Sequence, residues 1–259
     1  MARRGLIKSN QEIDWLRKAG QIHTIVLKEL IGLASTGVTT ESLDRHARAR
    51  IYEMGGQCPF LGYQGFPGAV CISINQELVH GIPDQTKLRE GDLLKLDLGV
   101  SYQDMIVDGA LTTVVDTPEQ QIDPDVRRLL TGTRKALVNI KNILRPGISN
   151  HQISIEIARI LKKYQLYPAD NLTGHGVGYQ IHENPAIPNA LDLGIVEVKL
   201  PVGAVIAIEP IASLGTRSNY LDSDGWTYVT ADQSLAAHYE DTILITESGC
   251  EFLTKSFDI

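Results

Sequence analysis

Residues 93–115 read LLKLDLGVSYQDMIVDGALTTVV and carry two carboxylates inside otherwise apolar, strand-forming sequence. The pattern predicts a β-hairpin centred between Tyr102 and Gln103, which would place Asp97 directly opposite Asp108. Opposed residues of an antiparallel pair share one face of the sheet, so two like charges would lie close together. A buried pair of this kind needs a cation to compensate it.

A second pair of carboxylates repeats this scheme in the carboxyl-terminal half. Glu209 lies in VIAIEPI (205–211), and Glu240 leads into DTILIT (241–246). His175 lies in TGHGVGY (173–179), where glycines on both sides let the backbone approach a crowded centre. Four carboxylates and one imidazole suit manganese, iron, cobalt or zinc. The sequence therefore predicts a site for two divalent metal ions, with the ligands Asp97, Asp108, His175, Glu209 and Glu240.

Composition restricts the class of protein. The chain has 259 residues, 43% of them hydrophobic, and a formal net charge of -7, which is typical of a globular protein and gives no electrostatic footprint for nucleic acid. Neither a membrane span nor a signal peptide is expected, because MARRGLIKSN is followed by the charged QEIDWLRK. Cys58, Cys71 and Cys250 have no metal-binding spacing and leave an odd thiol, so a cytoplasmic location is expected.

An internal duplication is indicated by helical patterns that recur 110 positions apart. Leu27 corresponds to Leu137 and Gly37 to Gly147, and Thr39 and Ser149 are each predicted to cap a second helix. Several strands follow each helix pair without helices between them. We therefore expect an α+β fold, an antiparallel sheet with helices on its outer face, as one domain over 1–259 with halves of roughly 10–120 and 121–255.

The six histidines other than His175 differ in their sequence settings. His80 in LVHGIP and His182 in QIHENP stand beside turn residues, where functional side chains are common. Three others lie in helical patterns and are expected at the surface or its boundary: His23, His46 and His151. His238 is expected on the strand face opposite to Glu240. No G-x-S-x-G or H-E-x-x-H motif occurs, and Cys71 in its apolar strand is expected to be a small core residue.

Six stretches together resemble type I methionine aminopeptidases in order and spacing, over nearly the whole chain. They are GYQGFPGAVCISINQELVHGIP (62–83), KLDLGV (95–100), VDGALT (107–112), GHGVGYQIHENP (174–185), AIEP (207–210) and GWTYVTADQSLAAHYEDT (225–242). The resemblance implies a pita-bread fold with a dinuclear metal site between two halves, and the same five ligands. It also implies that His80 and His182 contact the substrate, and that a methionine pocket is lined by Phe60, Tyr63, Phe66, Cys71 and Trp226, with Ile181 nearby.

Three positions depart from the family pattern. Gly109 replaces a threonine, Phe60 stands where a smaller residue is common, and Ile181 stands where an aromatic is common. The runner-up interpretation is a prolidase or aminopeptidase P, which share the five-ligand pattern. A third is an inactive binding module, which the intact ligand set disfavours.

The resemblance and the residues together suggest a reaction. Glu209 would accept the proton of an attacking water, His182 would stabilise the oxyanion, and His80 would bind the substrate amide or assist the leaving amine. The expected product is free methionine, cut from a peptide or nascent chain with a small second residue. We expect a monomer, and ribosome association is compatible with such a substrate.

Overall fold

The computed structural model describes residues 5–256, which form four α-helices and fourteen β-strands. The helices are α1 (Asn10–Leu33), α2 (Thr40–Glu53), α3 (Pro124–Asn139) and α4 (Asn150–Lys163). The strands of the first half are β1 (Val70–Ile74), β2 (Glu77–Val79), β3 (Leu93–Tyr102) and β4 (Met105–Val114). Those of the second half are β5 (Tyr167–Pro168), β6 (Thr173–Gly176), β7 (Glu183–Pro188), β8 (Val205–Ile208), β9 (Ile211–Ser213), β10 (Asn219–Leu221), β11 (Tyr228–Thr230), β12 (Ala236–His238), β13 (Glu240–Thr246) and β14 (Gly249–Phe252).

The same helix-turn-helix unit begins each half. Gly37 and Gly147 both adopt left-handed backbone, with φ of 89° and 87°, in the turn between the two helices. Thr39 then accepts a hydrogen bond from the Ser42 N–H, and Ser149 accepts one from the Gln152 N–H, so both predicted caps are confirmed. These local signals end the first helix and start the second at equivalent places.

The central element is an eight-stranded antiparallel sheet in the order β1-β3-β4-β13-β8-β6-β7, with β14 paired to β13. Helix α1 packs against β3 and β4, α4 packs against β7, and the main hydrophobic core lies between these helices and the sheet. Two three-stranded sheets, β10-β11-β2 and β12-β9-β5, complete the fold. The expected antiparallel α+β architecture is confirmed. Within residues 5–256, none of the helices has both the length and the apolarity needed to cross a bilayer.

The β3–β4 hairpin corrects one prediction. Asp97 pairs with Ala110 and Asp108 pairs with Gly99, so the two aspartates are diagonal neighbours, not directly opposed. The turn is made by Gln103 and Asp104, with φ of 50° and 60°, which matches the two-residue turn that suits strand twist. The centre of the hairpin is therefore one residue later than expected. Because the register changes by two residues, both aspartates still share one face.

Candidate metal centre and substrate pocket

The five predicted ligands lie on five neighbouring strands of the central sheet. In sheet order the strands β3, β4, β13, β8 and β6 contribute Asp97, Asp108, Glu240, Glu209 and His175. Glu209 is the residue that follows β8, and Glu240 is the first residue of β13. Strands that are far apart in sequence thus carry one polar side chain each to the same part of the sheet.

Strand register places these side chains on one face. Ala110 of β4 is the partner of both Asp97 and Glu240, and Asp108 lies two residues before it. His175 pairs with Ala207, which lies two residues before Glu209 in the adjacent strand. Asp241 pairs with Ile208, so Glu240 lies beside Glu209, the residue that follows Ile208. Since side chains alternate between faces along a strand, both groups project to the same side of the sheet.

The side-chain atoms converge to distances that suit shared cations. One donor atom each of Asp108, His175 and Glu240 lies within 4.8 Å of the other two. His175 Nε2 is 3.4 Å from Glu209 Oε1, a separation that fits two ligands held by the same ion at about 2.1 Å from each.

The electrostatics of the carboxylates also point to cations. Burial raises the pKa of Asp108 to about 7. Burial and the charge of Asp108 raise the pKa values of Asp97, Glu209 and Glu240, each well above the ordinary value for its type. Asp97 Oδ1 and Glu240 Oε1 are buried without a hydrogen-bond partner among the residues described. An oxygen-rich donor set with orphaned acceptor atoms fits bound divalent metal ions.

His175 has the surroundings of a metal ligand. Its Nδ1 lies 2.9 Å from the carbonyl oxygen of Gly176, which fixes the proton on Nδ1 and leaves the Nε2 lone pair for a metal. Burial lowers its pKa to about 3, so the ring is neutral. A Cβ at Gly174 would lie 2.5 Å from the Ala207 carbonyl, and one at Gly176 would lie 2.4 Å from that of Asn184. Close backbone approach therefore accounts for both flanking glycines.

His80 and His182 border the carboxylate cluster. The rings of His182 and His175 are 4.5 Å apart, and His182 Nδ1 lies 3.1 Å from the Tyr63 hydroxyl. His80 has left-handed backbone, with φ of 62°, and its ring meets Tyr228 edge-on at 5.9 Å. Burial lowers the pKa of His80 to about 4. Both histidines thus face the same cavity from opposite loops.

The loop that carries His182 is held by a buried ion pair. Glu183 Oε1 accepts hydrogen bonds from the backbone N–H groups of Tyr179 and Gln180, at 2.6 and 3.0 Å. Its Oε2 is 2.8 Å from Nζ of Lys8, whose side chain is fully buried. This network fixes the backbone on the amino-terminal side of His182.

An apolar pocket adjoins the carboxylates and shares with them a cavity of about 500 Å³. The four buried residues of its wall are Phe60, Phe66, Cys71 and Ile181, and Tyr63 and Trp226 pack against them. Phe66 and Trp226 meet edge to face at 5.1 Å. Burial and the nearby carboxylates raise the pKa of Cys71 well above its usual range, so its thiol is a pocket wall and not a nucleophile.

Two histidine predictions were wrong. His23 is fully buried, because α1 turns it against the sheet, where its Nε2 lies 3.0 Å from the Gly109 carbonyl oxygen. His238 lies on the same side as Glu240 and lines the cavity. The spacing of two residues between His238 and Glu240 was the available signal, since side chains two apart in extended chain share a face.

The fold and the acid-lined centre define a metal-dependent hydrolase. The chain matches the model of metallopeptidase family M24 over residues 14–247. It is 38% identical to the methionine aminopeptidase of Aquifex aeolicus, over 95% of this chain and 97% of that protein. The chain belongs to metallopeptidase family M24.

Comparison with solved structures is consistent with this family assignment. The crystal structure of methionine aminopeptidase from Thermotoga maritima is 35% identical, has a TM-score of 0.91 and is aligned over 96% of this chain and 99% of its own. Prolidase from Pyrococcus furiosus is 26% identical with a TM-score of 0.75, over 96% of this chain but 65% of its own. The pita-bread fold is thereby confirmed.

Proposed function

We propose that this protein removes the N-terminal methionine from peptides and proteins, and that it prefers a small second residue. Membership of family M24 makes it a metal-dependent hydrolase, and the methionine aminopeptidases match it over nearly their full length. The observation that carries the proposal is an apolar pocket in the same cavity as four carboxylates and a histidine of the kind that bind divalent metals. This arrangement suits a reaction at the first peptide bond of a chain whose first side chain is long and apolar.

The donor set would hold two divalent metal ions, which we propose to be cobalt, manganese, iron or zinc. The residues that would hold them are Asp97, Asp108, His175, Glu209 and Glu240. Two divalent ions would balance four carboxylates whose unpaired burial is otherwise costly. When bound, such ions act as Lewis acids that polarise the scissile carbonyl and lower the pKa of water.

The remaining steps fall to side chains around this centre. Glu209, which follows β8 at the cavity wall, would accept the proton of the attacking water. His182, near His175, would donate a hydrogen bond to the oxyanion. His80 on the opposite loop would bind the substrate amide or assist departure of the amine. Neutral imidazoles can serve in both donor roles.

The pocket would select methionine through its shape and its polarisable walls. Phe66 and Trp226 line the pocket with aromatic rings, and such rings make favourable contacts with a thioether sulfur. Cys71 and Ile181 close the wall without adding charge. A closed slot of this kind accepts one unbranched side chain, while the surrounding loops would crowd a large second residue.

We further propose that the protein is a cytoplasmic monomer that acts on peptides or nascent chains, with ribosome association compatible with that role, and that it uses no nucleic acid. Cys58, Cys71 and Cys250 are free thiols, as a reducing compartment allows. We regard 1–259 as one catalytic domain whose halves, roughly 10–120 and 121–255, each begin with the repeated helix pair.

The test is metal content and peptide hydrolysis on the same preparations. Metal-free protein would be given increasing Co²⁺, Mn²⁺, Fe²⁺ or Zn²⁺ and assayed on Met-Ala-Ser and Ala-Pro-Ala. Glu240→Ala and Asp97→Ala should each lose one bound ion and reduce kcat/KM by several orders of magnitude. Asp241→Asn is the matched control, because Asp241 faces away and accepts hydrogen bonds from Thr254 and Ser256 that an amide oxygen can keep.

Two outcomes would count against the proposal. Full metal content and turnover in Glu240→Ala would refute the ligand assignment. Faster cleavage of Ala-Pro-Ala than of Met-Ala-Ser would favour the alternative of a prolidase or Xaa-Pro aminopeptidase.

A further inference from the structure

His238 is a buried histidine at the metal centre to which the proposed reaction gives no role. It is the last residue of β12, and only 1% of its surface is exposed. Its backbone is fixed on both sides by Thr112: the His238 N–H donates to the threonine hydroxyl at 2.8 Å, and that hydroxyl donates to the His238 carbonyl at 2.7 Å. The backbone position from which the ring projects is therefore fixed by Thr112 of β4.

The ring is aimed at two of the carboxylates. His238 Nε2 lies 3.6 Å from Glu240 Oε2 and 3.7 Å from Glu209 Oε2. Neither ring nitrogen has a hydrogen-bond partner within the described part of the chain. A shift of a few tenths of an ångström in either glutamate would complete a hydrogen bond, because N–H···O bonds reach about 3.2 Å.

Comparison with His175 indicates whether His238 would bind a metal or donate a hydrogen bond. A ligating histidine usually has its second ring N–H bonded to an oxygen, and His175 meets this condition through the Gly176 carbonyl. His238 Nδ1 is buried without any such acceptor. If His238 Nε2 bound a metal, Nδ1 would carry a buried proton with nowhere to donate it. If Nε2 carries the proton instead, it points at carboxylate oxygens and Nδ1 is only an unused acceptor, which costs less.

We propose that His238 is a positioning residue that donates its Nε2–H to Glu209 and Glu240 and holds both carboxylates in the geometry that binds metal. The proposal rests on the ligand assignment made above. These two ligands need such support more than the aspartates do. Glu209 follows the end of β8 and Glu240 begins β13, and a glutamate has one more rotatable bond than an aspartate.

Two substitutions test the donor directly. His238→Leu fills most of the same volume without an N–H, whereas His238→Gln restores an N–H donor at similar reach. The affinity of metal-free protein for Co²⁺ would be measured by calorimetry, together with the visible spectrum of the Co²⁺ form, and kcat and KM would be measured on Met-Ala-Ser. Thermal unfolding of each variant would show that it is folded.

We expect His238→Leu to bind Co²⁺ about 10- to 100-fold more weakly, the usual cost of losing a group that orients a ligand, and still to reach two ions per chain at saturation. The visible spectrum should keep its intensity class, since the donor atoms are unchanged. Its kcat should fall more than its KM rises. His238→Gln should recover both affinity and kcat to within a few-fold of the wild-type protein.

The contrary results are distinct. Wild-type affinity and kcat in His238→Leu, or equal losses in the glutamine and leucine variants, would overturn the donor role. Saturation of His238→Leu at one ion would show that His238 is a ligand. A wild-type chain that fails to bind two ions would overturn the ligand assignment itself and the role of His238 with it.

Discussion

The buried ring of His23 packs directly against Gly109: a Cβ at Gly109 would lie 2.8 Å from both Cε1 and Nε2 of the ring. The ring nitrogen is also 3.0 Å from the Gly109 carbonyl oxygen. Helix α1 thus occupies the space that a side chain would fill on the face of β4 opposite Asp108. The threonine that the resemblance leads us to expect at this position would have no room beside this histidine.

Gly109→Ala should lower the free energy of unfolding by about 1–3 kcal/mol, because the ring has no exposed space into which it can move. In Gly109→Ala combined with His23→Ala, the loss should be smaller than the sum of the two single losses, since the clash is gone. Urea denaturation of the metal-loaded proteins would measure this. Gly32→Ala is the control: a Cβ there meets nothing within 4 Å, so stability should be unchanged or slightly raised. Simple additivity in the double variant would contradict the pairing.

His182→Ala should reduce kcat by about 10²- to 10³-fold while both metal ions remain bound, the usual scale for losing one transition-state donor. The structure gives His182 a contact with the Tyr63 hydroxyl and a place beside His175. Tyr63→Phe, which removes only the hydroxyl, should have a smaller effect. Rapid kinetics and metal analysis on the same samples decide it. Loss of metal in His182→Ala would make His182 a ligand.

Removal of the metals should expose a pH-dependent cost at Glu240. Burial and the neighbouring carboxylates raise its pKa in the folded, metal-free protein, so the folded state binds a proton that the unfolded state has released. Its contribution to stability therefore falls as pH rises above about 4.5, by at most about 1.4 kcal/mol per pH unit, until the raised pKa is passed. The free energy of unfolding of metal-free Glu240→Gln, relative to that of the metal-free wild-type protein, should accordingly rise from pH 5 to pH 8.

The difference between these two proteins is the proper measure, because other buried groups also titrate. Lowered pKa values of His23 and Lys95, about 4 and about 7, act on stability in the opposite direction and cancel in the comparison. Denaturant midpoints in a chelator at several pH values would give the result. With saturating metal the wild-type protein should be more stable than Glu240→Gln, since the ions bind the ionised carboxylate. A gap that does not change with pH would show that Glu240 is ionised in the metal-free fold.

The sequence predicted which acidic side chains come together better than it predicted their surroundings, for physical reasons. Charged residues inside apolar strands are easily recognised in a sequence. A shift of two residues in the β3–β4 register leaves both aspartates on the same face, so the error in the hairpin centre did not affect the prediction that they lie together. Helical histidines are different, because periodicity does not say which polar residue will find a buried partner. His23 is buried through a carbonyl that becomes adjacent only after α1 packs on β4.

Phe60 packs into the space that a side chain at Gly99 would fill, and this contact bears on which first residue the pocket accepts. A Cβ at Gly99 would lie 2.8 Å from Phe60 Cε1, so the absence of that Cβ lets the large ring enter the pocket wall. Gly99 pairs with Asp108, which places the ring close to the candidate metal ligands. The phenylalanine thus lines the cavity beside the strand that faces Asp108.

Phe60→Ala should widen this slot and lower the ratio of kcat/KM for Met-Ala-Ser over Phe-Ala-Ser by 10-fold or more, since pocket discrimination of this kind is worth about 1–3 kcal/mol. Activity on the methionine substrate should fall less than the ratio does, because no group that binds metal or moves a proton is removed. Phe252→Ala, a change in a half-buried phenylalanine of β14 that packs on the main core and does not line the pocket, is the control and should leave the ratio unchanged. Initial rates on Met-, Leu- and Phe-Ala-Ser would measure it. An unchanged ratio in Phe60→Ala would mean that the other walls alone determine which first residue is accepted.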